Sequence, residues 1–105
     1  MIFGLSDAVV ASLRQVFAEF PAIDRVLIFG SRAKGHFKDG SDIDLAVLAP
    51  GLSDADFTVL WSRLDDLPLV FKLDVLHWDR LGNERLKAKV LGEGRVLFES
   101  RQSTE

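Results

Sequence analysis

Three aspartates and a glycine-led loop are the residues here whose types and spacing could do chemistry. Asp42 and Asp44 stand two apart in Ser41-Asp42-Ile43-Asp44-Leu45. On an extended strand both side chains leave one face, with Cα atoms roughly 6.5–7 Å apart. Like charges held that close raise one another's pKa. A divalent cation resolves the conflict, and two ions roughly 3.5–4 Å apart could share such a pair. Asp74 interrupts the otherwise apolar end of the run Val70 to Leu76, a setting in which an acid is exposed, paired or metal-linked. Upstream lies Gly30-Ser31-Arg32-Ala33-Lys34-Gly35. Gly30 permits a tight turn and close approach of an anion to the backbone, Ser31 offers a hydroxyl and an N–H, and Arg32 and Lys34 add positive charge. The loop reads as a phosphate cradle. It is not a P-loop, because His36 and Phe37 follow Gly35 where that motif requires Lys and then Ser or Thr.

Composition narrows the chemistry further. The chain contains no cysteine and two histidines, which removes disulfides, thiolate catalysis and sulfur-ligated metals and leaves carboxylate oxygens, the ligands of hard ions such as magnesium. A net charge of −3 and a pI near 5.3 argue against a broad nucleic-acid footprint. The longest stretch without a charged or polar side chain, Leu45 to Leu52, contains Pro50 and Gly51, far short of the roughly 20 apolar residues of a membrane span. With no Lys or Arg before Arg14 and with Asp7 inside the first apolar stretch, the N-terminus lacks a secretion signal's pattern, so a cytoplasmic location is expected.

The elements that must position these residues follow from periodicity. At 105 residues and 48% hydrophobic content, one domain spanning 1–105 is expected. Ser6 caps a helix whose apolar positions Val9, Leu13, Val16, Phe17 and Phe20 recur until Pro21. Arg25 to Phe29 is a buried strand ending at Gly30, and a turn must follow it. Asp42 to Leu48 is a second strand. Ser53 opens a helix with Asp56 as its capping-box acid and Phe57, Leu60, Trp61 and Leu64 as the stripe facing the sheet. Val70 to Leu76 is a third strand, with Phe71, Leu73 and Val75 toward the core and Lys72, Asp74 and Leu76 on the opposite face. Glu84 to Leu91 is a helix closed by Gly92, Arg95 to Phe98 is a fourth strand, and residues 100–105 form a polar tail expected to fray. This order implies an α+β fold: one sheet of about four strands, helices packed mainly on one face, and the other face left for the site. Strand order is not readable from these patterns.

Taken together, Gly30-Ser31, ten intervening residues, Asp42-Ile43-Asp44 and a later strand Asp74, within the phrase LIFGSRAKGHFKDGSDIDLAVL, resemble the active-site signature of the DNA polymerase β-type nucleotidyltransferase superfamily. The similarity is to its minimal nucleotidyltransferase (MNT) branch. It extends from the first helix to the terminal GRVLFE strand and implies a polymerase β-like nucleotidyltransferase fold with a mostly mixed sheet. By the resemblance, Gly30, Ser31 and Arg32 would bind the triphosphate of ATP, and Asp42, Asp44 and Asp74 would be the catalytic, metal-binding carboxylates for one or two Mg2+ ions. The reaction implied is transfer of a nucleoside monophosphate to a hydroxyl with release of pyrophosphate. Members this small commonly work beside a helical HEPN-type partner as the antitoxin of a toxin pair, and some adenylylate a tyrosine of that partner. This chain contains no tyrosine, so such an acceptor must come from another chain.

Two other functions compete. A non-catalytic antitoxin would neutralise its partner by occlusion. Nucleotide addition to RNA or a small molecule is weakened by the acidic balance and by the lack of sequence for an acceptor-binding helical domain. Homo-oligomerisation is left open. His36 and His77 read as loop and strand-end residues, the Trp61 stripe as core, and Arg85 with Lys89 as a solvated helix face.

Overall fold

The computed structural model describes residues 2–38 and 40–100. Ser6 accepts a hydrogen bond from the Val9 N–H and starts helix α1, Asp7–Ala18, which buries Val10, Leu13, Val16 and Phe17. Strand β1, Arg25–Phe29, leads directly into a one-turn helix α2, Ser31–Lys34, where a turn was expected. Strand β2 is Ile43–Leu48, and helix α3, Asp54–Asp65, is capped by the Ser53 hydroxyl accepting from the Asp56 N–H. Strand β3 is Leu73–His77, helix α4 is Glu84–Glu93, and strand β4 is Arg95–Glu99. Ser100 is tied down rather than frayed, its N–H donating to the Asp24 carbonyl at 2.9 Å. The rest of the expected tail, 101–105, lies outside the described residues.

The strands form one mixed sheet in the order β3-β2-β1-β4. β1 pairs antiparallel with both β2 and β4, while β2 and β3 run parallel. A parallel pair cannot be joined by a tight turn, and α3 supplies the long connection that β2 to β3 requires. Alternation along the strands sorts the side chains. Val26, Ile28, Ile43, Leu45, Val47 and Leu97 pack with α1 and α3 in the main core, and none of the six is more than 1% exposed. Leu27, Phe29, Ala46 and Leu48 face the other way and are partly covered by Val90 and Leu86 of α4. The expectation of helices mainly on one face is met, with α4 as the single long helix on the second.

Strand ends shift by a residue or so from the sequence reading, β2 starting at Ile43, β3 ending at His77 and β4 at Glu99, and three differences are larger. Trp61 is not core: it is 45% exposed, because α3 contacts the sheet through Leu60 and Leu64 and a residue one position on is rotated away by about 100°. The third strand begins at Leu73 rather than Val70, which is 93% exposed. The ladder with β2 opens only where the Ile43 N–H donates to the Lys72 carbonyl. Finally, α4 runs through Gly92 to Glu93, and it is the Gly94 N–H that caps it by donating to the Val90 carbonyl. A Cβ on Gly94 would stand 2.5 Å from that carbonyl oxygen, so the glycine the packing requires is Gly94, not Gly92.

Candidate active site

β1 ends in a backbone conformation that selects its next residue. Gly30 has φ +76° and ψ −152°, a region that residues with a Cβ essentially do not occupy. A Cβ there would lie 2.5 Å from Asp44 Oδ2. Gly30 is therefore where the loop passes directly against the β2 carboxylate. The chain then coils into α2 and leaves through Gly35 in the left-handed conformation, with the His36 N–H returning to the Ser31 carbonyl. The N–H groups of Ser31, Arg32 and Ala33 form the first turn of α2, which has no intrahelical acceptors for them. Ser31 is half-buried at that turn.

The carboxylates are brought together by strand register. Asp44 and Asp74 are direct partners in the parallel β2–β3 ladder, where neighbouring strands lie about 4.8 Å apart. The register brings the two acids close enough for each to feel the other's charge. Burial, the charge of Asp74 and the charge of Asp42, in that order, push the Asp44 carboxyl above its ordinary value of 3.8. Asp42 is exposed and lies one residue before β2, so it reaches the pair through its field rather than as a strand neighbour. Among the described residues no three acidic or histidine side chains already converge as a metal cage. The donors nevertheless suit a hard divalent cation: carboxylate oxygens, partly desolvated, whose repulsion such an ion would relieve.

The cations divide differently from the sequence reading. Arg32 is only 3% exposed. Its Nε and Nη2 donate to the Ser41 carbonyl at 3.1 and 2.8 Å, and Nη1 donates to the Phe3 carbonyl at 2.9 Å. The guanidinium also lies 5.0 Å from the Phe37 ring centroid and 4.8 Å from that of Phe71. It fastens the N-terminal segment to the residue that precedes Asp42. Lys34 instead reaches across to α4 and pairs with Glu93 at 3.1 Å. Lys89, one helical turn before Glu93, is the cation whose charge opposes the upward push on Asp44. Lys89 is exposed, as its reading as a solvated helix face expects. His77 is buried, its Nε2–H donating to the Ala49 carbonyl at 2.9 Å and its ring stacked on Phe57, away from the carboxylate pair on the opposite sheet face.

Comparison with known proteins gives the family and the fold. The family model for "Polymerase beta, Nucleotidyltransferase" matches residues 11–103. No curated protein matches the chain in sequence. Among solved structures, a chain of a toxin–antitoxin complex crystallised with AMP-PNP superposes with a TM-score of 0.70 at 24% identity, covering 89% of this chain and 75% of that one. A chain from the tri-AMPylated Shewanella oneidensis HEPN toxin in complex with its MNT antitoxin gives 0.59 at 24% identity, covering 91% and 71%. One from the MntA-HepT toxin–antitoxin gives 0.60 at 21% identity, covering 92% and 75%. At these identities the likeness is one of fold, and it matches the fold that the motif implied. The glycine-led loop, the paired strand carboxylates and the match over residues 11–103 together make this chain a member of the polymerase β nucleotidyltransferase family.

Proposed function

We propose that this chain transfers AMP from ATP to a hydroxyl on a helical partner protein of the HEPN type, and so acts in the cytoplasm as the antitoxin of a toxin–antitoxin pair. The observation that carries the reading is the in-register pairing of Asp44 with Asp74 directly beneath the Gly30 loop. That juxtaposes an anion-accepting backbone with acids able to hold a cation and accept a proton. Gly30 and Ser31 hold the triphosphate. Asp44 and Asp74, with Asp42 exposed beside them, would hold the cation. Bound Mg2+ would supply charge neutralisation to the triphosphate and the departing pyrophosphate. The acceptor oxygen attacks the α-phosphorus, the bond to the β-phosphate oxygen breaks, and the acceptor proton passes to Asp74. Arg32 serves in this reading as the tether of the loop rather than as a phosphate contact, since its guanidinium is already buried on protein carbonyls.

The partner is supported by the AMPylated HEPN complex among the fold relatives and by the absence of tyrosine from this chain. Apolar surface lies close to β3: Trp61, Leu69 and Phe71 line a groove with Leu73 and Val75, the last two on the strand that carries Asp74 and on its opposite face. A second reading, neutralisation by occlusion alone, is favoured by the lack of a converged three-ligand cluster among the described residues. Co-expression with a HEPN-type partner followed by intact-mass measurement after adding Mg-ATP separates the two. The catalytic reading expects AMP-sized additions to the partner that vanish in an Asp42→Asn/Asp44→Asn variant. Partner inhibition that persists undiminished in that variant, with no mass gain in the parent, establishes occlusion.

A further inference from the structure

α4 crosses the same sheet face as the carboxylates, seated by Val90 and Leu86 on Leu27, Phe29, Ala46 and Leu48. Its rotation about its own axis is fixed at two points. Val90 is fully buried against the sheet, and Glu93 pairs with Lys34 of α2 at 3.1 Å. With 90 facing the sheet and 93 facing α2, the helical repeat puts residue 89, four before 93, in the row that faces α2 and the loop it opens from. Lys89 occupies that position. It is exposed, and it makes no hydrogen bond or ion pair with a described residue, unlike Lys34, Arg63 and Arg80. Its charge acts on Asp44. Arg85, one further turn back and just as exposed, lies a turn farther along α4 from the Lys34–Glu93 contact. An unpaired ammonium beside an acid pair has a use if an anion is to be brought to those acids, because a triphosphate adds negative charge where negative charge already accumulates.

We propose that Lys89 is a nucleotide-binding residue: from α4 it contacts the polyphosphate of the nucleoside triphosphate on the side opposite the Gly30-Ser31 loop, so that the phosphates lie between a backbone cradle and a lysine. The Lys34–Glu93 pair holds α4 at the rotation that presents it. This rests on the nucleotidyltransferase reading above and adds a residue to it.

The test is calorimetric titration of the full chain with Mg-ATP and with Mg-AMP, for the parent, Lys89→Ala, Lys89→Arg and Arg85→Ala. A hydrogen bond to a charged group lost from the complex corresponds to roughly a tenfold to hundredfold weaker affinity. Lys89→Ala is therefore expected to weaken Mg-ATP by about that factor, with much of it restored in Lys89→Arg, an unaltered melting temperature without nucleotide, and a far smaller change for Mg-AMP. Arg85→Ala removes the same charge from the same helix and is expected to change Mg-ATP affinity less than about twofold. Equal losses in Lys89→Ala and Arg85→Ala would reduce the effect to net charge and overturn the proposal, as would Mg-ATP binding undiminished in Lys89→Ala. A parent chain that binds no Mg-ATP, alone or with its partner, would instead remove the nucleotidyltransferase reading itself and this assignment with it.

Discussion

The two faces of one sheet have been given opposite tasks. On the face under α1 and α3, the β2 residues Ile43, Leu45 and Val47 are completely buried, as are Val26 and Ile28 of β1. On the other face the same β2 strand carries Asp44, half-buried and held against Asp74, and α4 covers only the part lined by Leu27, Phe29, Ala46 and Leu48. A close-packed face tolerates no polar group without a partner, whereas the site face must keep two acids together and partly desolvated. The comparison teaches that one strand can support both because its side chains alternate. The dense face stabilises the backbone, and the backbone in turn holds like charges that would otherwise separate.

If that division is right, truncation of the dense face should cost the most stability. Leu45→Ala, at a position with no exposure in the main core, is expected to lower unfolding free energy by about 2–5 kcal/mol, read by denaturant melts. A loss under 1 kcal/mol would show that the face is not close-packed. Next comes the strap between the site loop and the N-terminal segment. Arg32→Ala leaves the Ser41 and Phe3 carbonyls without their donors and should cost roughly 2–3 kcal/mol even without nucleotide. Arg32→Lys should recover only part of this, because an ammonium cannot reproduce the fork. If both variants melt like the parent yet bind Mg-ATP weakly, Arg32 is a ligand residue and not a strap.

Glycines at the two ends of α2 sharpen the contrast within the site. Both Gly30 and Gly35 have positive φ, but a Cβ at Gly35 meets nothing within 4 Å while one at Gly30 meets Asp44 at 2.5 Å. Gly35→Ala should cost about 1 kcal/mol of backbone strain. Gly30→Ala should cost more and also displace the Asp44 carboxylate, so that it alone abolishes Mg-ATP binding. The mildest stability effect should be of opposite sign. The Asp44 pKa is raised in the folded chain, so the folded state holds the proton more tightly than the unfolded one. The contribution of Asp44 to stability is therefore fully present below the ordinary value of 3.8 and is lost as pH rises through the raised folded value. Asp44→Asn should remove that decline and melt slightly higher than the parent at neutral pH without metal, while nucleotide transfer disappears. A lower melting temperature for Asp44→Asn under those conditions would mean that the acid contributes to the fold.

Much of this molecule is legible in one dimension. Ser6 and Ser53 mark helix starts because a capping hydroxyl acts on an N–H three residues away, and the β1 span follows from five consecutive strand-forming residues closed by glycine. Gly30, Ser31, Asp42, Asp44 and Asp74 stand out as candidates because their types and spacing are unusual for turns and strands. Other features depend on distances that a linear pattern does not contain. Trp61 reads as part of the core stripe of α3, yet the helix meets the sheet through Leu60 and Leu64 and turns Trp61 away from it. Arg32 and Lys89 are both helical cations beside an alanine in sequence, Ala33 and Ala88, but one is enclosed by Phe37 and Phe71 and the other is exposed. Local sequence determined the helices, the strands and the chemical character of the site, because caps, periodicity and glycine conformation act within a few residues. The order β3-β2-β1-β4, the register that sets Asp44 beside Asp74 across thirty residues, and the division of cations into strap and open charge were decided only by tertiary structure, since pairing and burial depend on which distant segments share one core.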